Sequence, residues 1–181
     1  VLALAAACAL AAVPVGAGPA PARYEATEIE VKAAFLYHFA QLVSWPDAAD
    51  DSARPIRIGV LGPDPFGPRL EATIGAETVR GRAIKIERVE RFADFASPPH
   101  ILFVGATDPP DVERALVAVG KAPVLTVGVR KGFALQGGMI EFRMTPDARV
   151  AFDINARAAE AAGLKVSSQL LKLAHIVESR R

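Results

Sequence analysis

Apolar positions along this chain follow three spacings: helical stripes, short uninterrupted runs and strict alternation. The first stripe lies in Thr27 to Trp45, where Val31, Phe35, His38/Phe39 and Leu42 share one helical face. Thr27 and Glu30 form a Thr-x-x-Glu capping box in front of it, and Trp45-Pro46 predicts its end. Ile56 to Leu61 is an apolar strand. Gly62-Pro63-Asp64-Pro65 then predicts a helix with Asp64 as N-cap and Pro65 at N1, carrying Phe66, Leu70 and Ile74. Ala83 to Val89 alternates as a strand with Ile84 and Ile86 on one face. Ile101 to Val104 is an uninterrupted run, as expected of a strand covered on both faces, and Val124 to Val127 is the next buried strand. Between them, Asp108-Pro109 opens a helix with Val112, Ala115, Leu116 and Val119 at i, i+3, i+4 and i+7.

The pattern then becomes strict alternation. Ile140, Phe142 and Met144 face Val150, Phe152 and Ile154 across Thr145-Pro146-Asp147-Ala148, a sequence suited to a type I turn. The prediction is an antiparallel hairpin with a buried face. Asn155 caps an Ala-rich helix closed by Gly163. Ser167 or Ser168 starts a last helix with Leu170, Leu171, Ala174 and Val177 inward. Strand–helix alternation ending in a hairpin predicts a single α/β domain: a mixed sheet with helices on both faces, an α/β/α sandwich with a C-terminal β-hairpin.

Composition changes this picture at the N-terminus. Residues 1–22 carry no charge, and Val1 to Val13 is an apolar run containing Cys8. Pro14, Gly16, Gly18 and Pro19 interrupt it before the roughly 20 apolar residues a bilayer span needs. It reads as the apolar part of a signal peptide that begins inside the signal, with Ala20-Pro21-Ala22 or Val15-Gly16-Ala17 as the cleavage site. The expected organisation is a signal over 1–22 and one domain over 23–181, exported to the periplasm. Those 159 residues suffice for a core without staples, and they contain no cysteine.

Charge and chemistry narrow the function. Twenty-one basic side chains stand against 20 acidic ones, with no like-charge run to suit nucleic acid. His38, His100 and His175 sit in no metal-ligand spacing. No Gly-x-Ser-x-Gly elbow is present, and Ser167-Ser168 reads as a helix cap. Gly59, Gly62 and Gly67 follow a strand, but Pro63, Pro65 and Pro68 remove backbone donors a phosphate loop would use. Asp153 projects opposite to Phe152 and Ile154, toward solvent or a nearby base. No residue set emerges as a catalytic, cofactor or metal site.

Taken in order, several segments resemble the YfiR family. They are Val-Lys-Ala-Ala-Phe-Leu-Tyr-His-Phe-Ala (31–40) with Ser-Trp-Pro (44–46), Val-Leu-Gly-Pro-Asp-Pro-Phe-Gly (60–67) and His-Ile-Leu-Phe-Val (100–104). Val-Leu-Thr-Val-Gly (124–128), Gly-Gly-Met-Ile-Glu-Phe (137–142), Val-Ala-Phe-Asp-Ile-Asn (150–155) and Gly-Leu-Lys-Val-Ser-Ser-Gln-Leu-Leu-Lys-Leu-Ala (163–174) follow. The resemblance implies a non-catalytic periplasmic regulator that holds a membrane diguanylate cyclase inactive by binding its periplasmic part. It also implies an OmpA-like peptidoglycan-associated lipoprotein as the protein that sequesters the regulator. Related proteins often carry cysteines where this chain has Gly59 and Pro99, so a disulfide switch is not expected here.

Three readings compete: an inhibitory protein-binding module, a periplasmic small-molecule-sensing or solute-binding module, and a small hydrolase. A solute binder would more usually have two lobes. Homodimer formation is left open. For the first reading, the stripe of the last helix leaves Lys165, Gln169 and Lys172 on an outward face, with Ser168 beside them. These four are the candidate partner-binding residues.

Overall fold

The computed structural model describes residues 27–46, 49 and 51–179. The apolar segment read as a signal, Cys8 included, lies outside them. Helix α1 (Glu28–Leu42) begins at Thr27 with both arms of the capping box in place. β1 (Val43–Ser44), β2 (Ile56–Leu61), α2 (Arg69–Ile74), β3 (Thr78–Val79), β4 (Arg82–Val89) and β5 (Ile101–Val104) follow. Then come α3 (Pro109–Val119), β6 (Leu125–Gly128), β7 (Ile140–Met144), β8 (Val150–Ile154), α4 (Ala156–Ala161), β9 (Lys165–Val166), α5 (Ser168–Leu173) and β10 (His175–Ile176).

Eight strands form one mixed sheet in the order β10-β8-β7-β6-β5-β2-β4-β3, and β1 pairs with β9 as a separate ribbon. The centre, from β4 to β7, is parallel. The hairpin β7–β8 is antiparallel, with Ile140 opposite Ile154 and Phe142 opposite Phe152. The uninterrupted runs are explained by burial on both sides. Ile101 and Phe103 join a core built with α1, α2, Ala159 and Leu170. Their neighbours Leu102 and Val104 join a second core with Val112, Ala115 and Val119 of α3 and with Phe133. Alternate residues of one strand thus serve opposite layers, and the α/β/α sandwich stands.

Five local expectations need correction. The buried face of α1 is Ala33, Leu36, Phe39 and Ala40; of the expected stripe through Val31, Phe35, His38/Phe39 and Leu42, only Phe39 is fully buried. This helix is apolar on most sides, so periodicity does not single out one face. Alanines at 33 and 40 suit a close approach to the sheet. The helix also ends at Leu42, because Val43–Ser44 pairs with Val166–Lys165. The helix expected at Pro65 starts at Arg69. Gly67 has φ +52, and the Asp64 carboxylate accepts the Phe66 N–H at 2.8 Å in a turn of its own. Met144, expected inward in the hairpin, is 42% exposed beside its turn. Finally, α5 stops at Leu173. Ala174 turns extended, His175–Ile176 pairs with Asp153–Ile154, and the Val177 N–H donates to the Ile154 carbonyl at 2.9 Å. The sheet edge captures the chain, so Ala174 and Val177 are not on the helix.

Candidate partner-binding surface

The sequence segments shared with the resembled family meet in pairs, and each meeting is a structural joint. The Trp45 indole N–H donates to the His100 carbonyl at 3.0 Å, with the two rings edge-on at 5.4 Å. The His100 Nδ1 accepts the Arg57 N–H at 3.0 Å. It is therefore the strand-end histidine satisfied by backbone, not a free base. Asp64 anchors Arg88 at 2.6 Å, and Arg88 also donates to the Gly67 carbonyl at 2.8 Å and to Glu71. Those bonds raise the affinity of Arg88 for its proton, and they hold the Glu71 carboxyl below its ordinary value. Phe66 packs edge-on against Phe103 at 4.7 Å.

A third joint is made around Phe133, which is fully buried. A Cβ at Gly138 would lie 2.2 Å from its ring, and one at Gly128 would lie 2.6 Å away. Buried Glu141 accepts the N–H groups of Gly132 and Ala134 at 3.0 and 3.1 Å. Asn155 caps α4 through Ala158 and donates to the Ala134 carbonyl. Gly-Gly-Met-Ile-Glu-Phe and Val-Ala-Phe-Asp-Ile-Asn are thus written for packing.

The place where an open parallel sheet usually binds ligands is narrowed to a hollow of about 450 Å³ between Pro63, Phe92 and Ala115. β2 and β5 are neighbours whose carboxyl-end connections leave toward α2 and α3, on opposite faces, which makes a topological switch point. Here the two loops touch. The Gly105 N–H donates to the Leu61 carbonyl at 3.0 Å, and a Cβ on Gly105 would sit 1.7 Å from the Pro63 oxygen. Beside them, Arg91 and Arg114 are each paired with an aspartate, Asp94 and Asp111. A larger hollow of about 1050 Å³ lies by α3. Its two inner carboxylates are engaged: Glu141 with backbone, and Asp153 with Arg143 at 2.7 Å and His175 at 3.3 Å. Asp153 has the basic neighbour expected of it. His38 is exposed, against Gln41, and His175 opens β10 just after the end of α5. Among the described residues, no group of three or more His, Cys, Asp or Glu could hold a metal, and no helix is long and apolar enough to cross a membrane.

The four predicted partner-binding residues are all exposed, but they do not share one helix. Ser168, Gln169 and Lys172 lie on α5, behind the Ser167 cap, whose hydroxyl accepts the Leu170 N–H at 3.2 Å. Lys165 lies in β9, opposite Ser44. Missing from the prediction are Leu173 and Ile176, which are 64% and 55% exposed. The early end of α5 turns both outward, next to Lys172 in the chain. Because β10 is the outer strand, its far edge is also unpaired among the described residues. A stripe read as a continuous helix hides this. Only the lack of a C-cap glycine after Leu173 hints at a different end. The rim of α5 and β10 therefore combines a lysine, a glutamine, two apolar side chains and a strand edge.

Comparison with known proteins agrees with the geometry. The YfiR/HmsC-like (DUF4154) family model matches residues 29–175. No curated protein sequence matches the chain. Among solved structures, a conserved domain protein from Vibrio cholerae is similar at 14% identity and a TM-score of 0.55. The match covers 82% of this chain and 60% of that one, and it shows the shared fold.

Proposed function

This chain belongs to the YfiR/HmsC-like family, and from that premise we propose that it is a non-catalytic periplasmic protein that binds and inhibits the periplasmic part of a membrane diguanylate cyclase. The family is one of periplasmic regulators, and this membership carries the reading. Support comes from how the polar groups are spent. The joints around His100, Asp64, Glu141 and Asn155 consume them in hydrogen bonds within the fold. The exposed rim of α5 and β10 instead offers Leu173 and Ile176 beside Gln169 and Lys172. Apolar anchors ringed by polar groups suit a protein interface. In this reading residues 1–22 direct export, and an OmpA-like peptidoglycan-associated lipoprotein competes with the cyclase for the regulator.

The test is genetic and quantitative. Cellular cyclic-di-GMP is measured in the parent strain, in a strain lacking this protein, and after restoring it. The reading expects a rise on deletion and a return on restoration, both abolished when the cyclase is removed as well. An unchanged level in all strains contradicts it. A small-molecule-sensing role is the second reading, favoured by an apolar cavity between α1 and α2.

A further inference from the structure

Part of the stripe that periodicity assigns to the core of α1, Val31, Phe35 and His38, instead lines a cavity. Val31, Ala34 and Phe35 of α1 face Ala72 and Thr73 of α2 across about 570 Å³, within the range of small-molecule pockets. The Phe35 ring joins this floor to the hairpin core, 5.3 Å from Phe152 and 6.0 Å from Phe39. Val31 and Phe35 are only half-buried, so part of their apolar surface is left uncovered among the described residues.

The charges around it are unequal. Glu30 lines the cavity, but its carboxylate is held by the Thr27 N–H at 2.7 Å and the Thr27 hydroxyl at 2.9 Å. Arg69 also lines it, is exposed, and makes no side-chain hydrogen bond or ion pair with any described residue. That separates it from Arg57, Arg88, Arg91, Arg114 and Arg143, each of which holds a carboxylate. The His38 imidazole also lines the cavity, with Nδ1 near Gln41 at 3.4 Å. An apolar floor ending at an uncommitted guanidinium suits a carboxylate with an apolar tail, since guanidinium pairs carboxylates through two parallel hydrogen bonds. A partner helix fits less well. The α2 wall has six residues and is about 9 Å long, shorter than the two turns between i and i+7 anchors.

We propose that the α1–α2 cavity is a binding site for an amphipathic monocarboxylate, with the tail on Val31, Phe35 and Ala72 and the carboxylate on Arg69. This stands independently of the cyclase reading, because it is tested on the purified protein alone.

Decanoate and decan-1-ol are titrated below their aggregation limits, by calorimetry and by methyl NMR. Decanoate should bind one to one and shift the methyl signals of Val31, Ala34 and Ala72. The alcohol should bind about tenfold more weakly, for want of the charge-assisted bonds. Arg69→Gln lies on the surface and should fold normally. It should reduce decanoate to the affinity of the alcohol and leave the alcohol unchanged. Ala34→Leu, which fills the cavity, should weaken both ligands. Equal affinity for acid and alcohol, an unchanged Arg69→Gln variant, or shifts confined to the α3 hollow around Val117 and Leu135 would each overturn the proposal. So would a concentration-dependent dimer that covers these methyl groups and is not displaced by decanoate.

Discussion

The hairpin floor and the α5–β10 rim lie side by side on the sheet and are built by opposite rules. In the floor, Phe142 and Phe152 face each other across β7 and β8 and pack on Phe39 at 5.8 and 5.2 Å. On the opposite face of the sheet, Phe133 rests on glycines at 128 and 138. At the rim, a short helix gives way to a two-residue strand, and Leu173 and Ile176 stay in solvent. The most recognisable sequence is in the floor, where its side chains are spent on packing and hydrogen bonds within the fold. Motif density in this molecule marks where packing tolerates little change, while the surface proposed for recognition carries ordinary residues.

The sharpest way to break the contrast is to damage the floor. Phe152→Ala should cost about 3–5 kcal/mol of unfolding free energy, measured in urea, because a large ring is removed from a closed core. A loss below about 1 kcal/mol would mean that the ring is not held as described. Gly138→Ala adds a single methyl group, but it would drive the Phe133 ring from its seat. About 1–3 kcal/mol is expected, together with a shift in the Phe133 ring signals. Trp45→Phe keeps the ring and removes one N–H. The His100 carbonyl keeps its bond from Leu125, so the loss should be about 1 kcal/mol.

Much of the floor is legible from sequence, and little of the rim is. β2 and β5 match the expected spans, and the hairpin residues Ile140, Phe142, Phe152 and Ile154 are buried as expected. Strands covered on two faces leave unbroken apolar runs, and a hairpin buried on one face leaves alternation. The face of α1 is not legible, because Val31 and Phe35 are as apolar as Ala33 and Leu36. The end of α5 is set by a partner strand far away in sequence, at Asp153–Ile154, and no local signal encodes that pairing. Lys165, Ser168, Gln169 and Lys172 are correctly placed on the surface, but the strand at Lys165 separates the first from the other three.

A gentler comparison uses acid. Arg57 holds the Glu87 carboxyl below its ordinary value, and Arg88 does the same for Glu71. Each folded-state value lies under the unfolded one near 4.5, so each contributes stability fully above that pH and loses it as pH falls through the folded value. Urea unfolding followed downward from neutral pH should show a decline beginning below about pH 4.5. The decline should be shallower in Glu71→Gln and Glu87→Gln than in the parent protein. A pH slope identical in all three would remove these pairs from the account.

The rim should be the least costly place to alter. Gln169→Glu, Lys172→Glu and Leu173→Ser together should change stability by no more than about 0.5 kcal/mol per site, as surface substitutions do. The direct measurement is binding of the purified periplasmic part of the membrane cyclase to the parent protein and to this triple variant. The account predicts that the parent binds and that the variant binds at least about tenfold more weakly while remaining folded. Equal binding by the two would place the interface elsewhere, and no binding by the parent would contradict the regulatory reading itself.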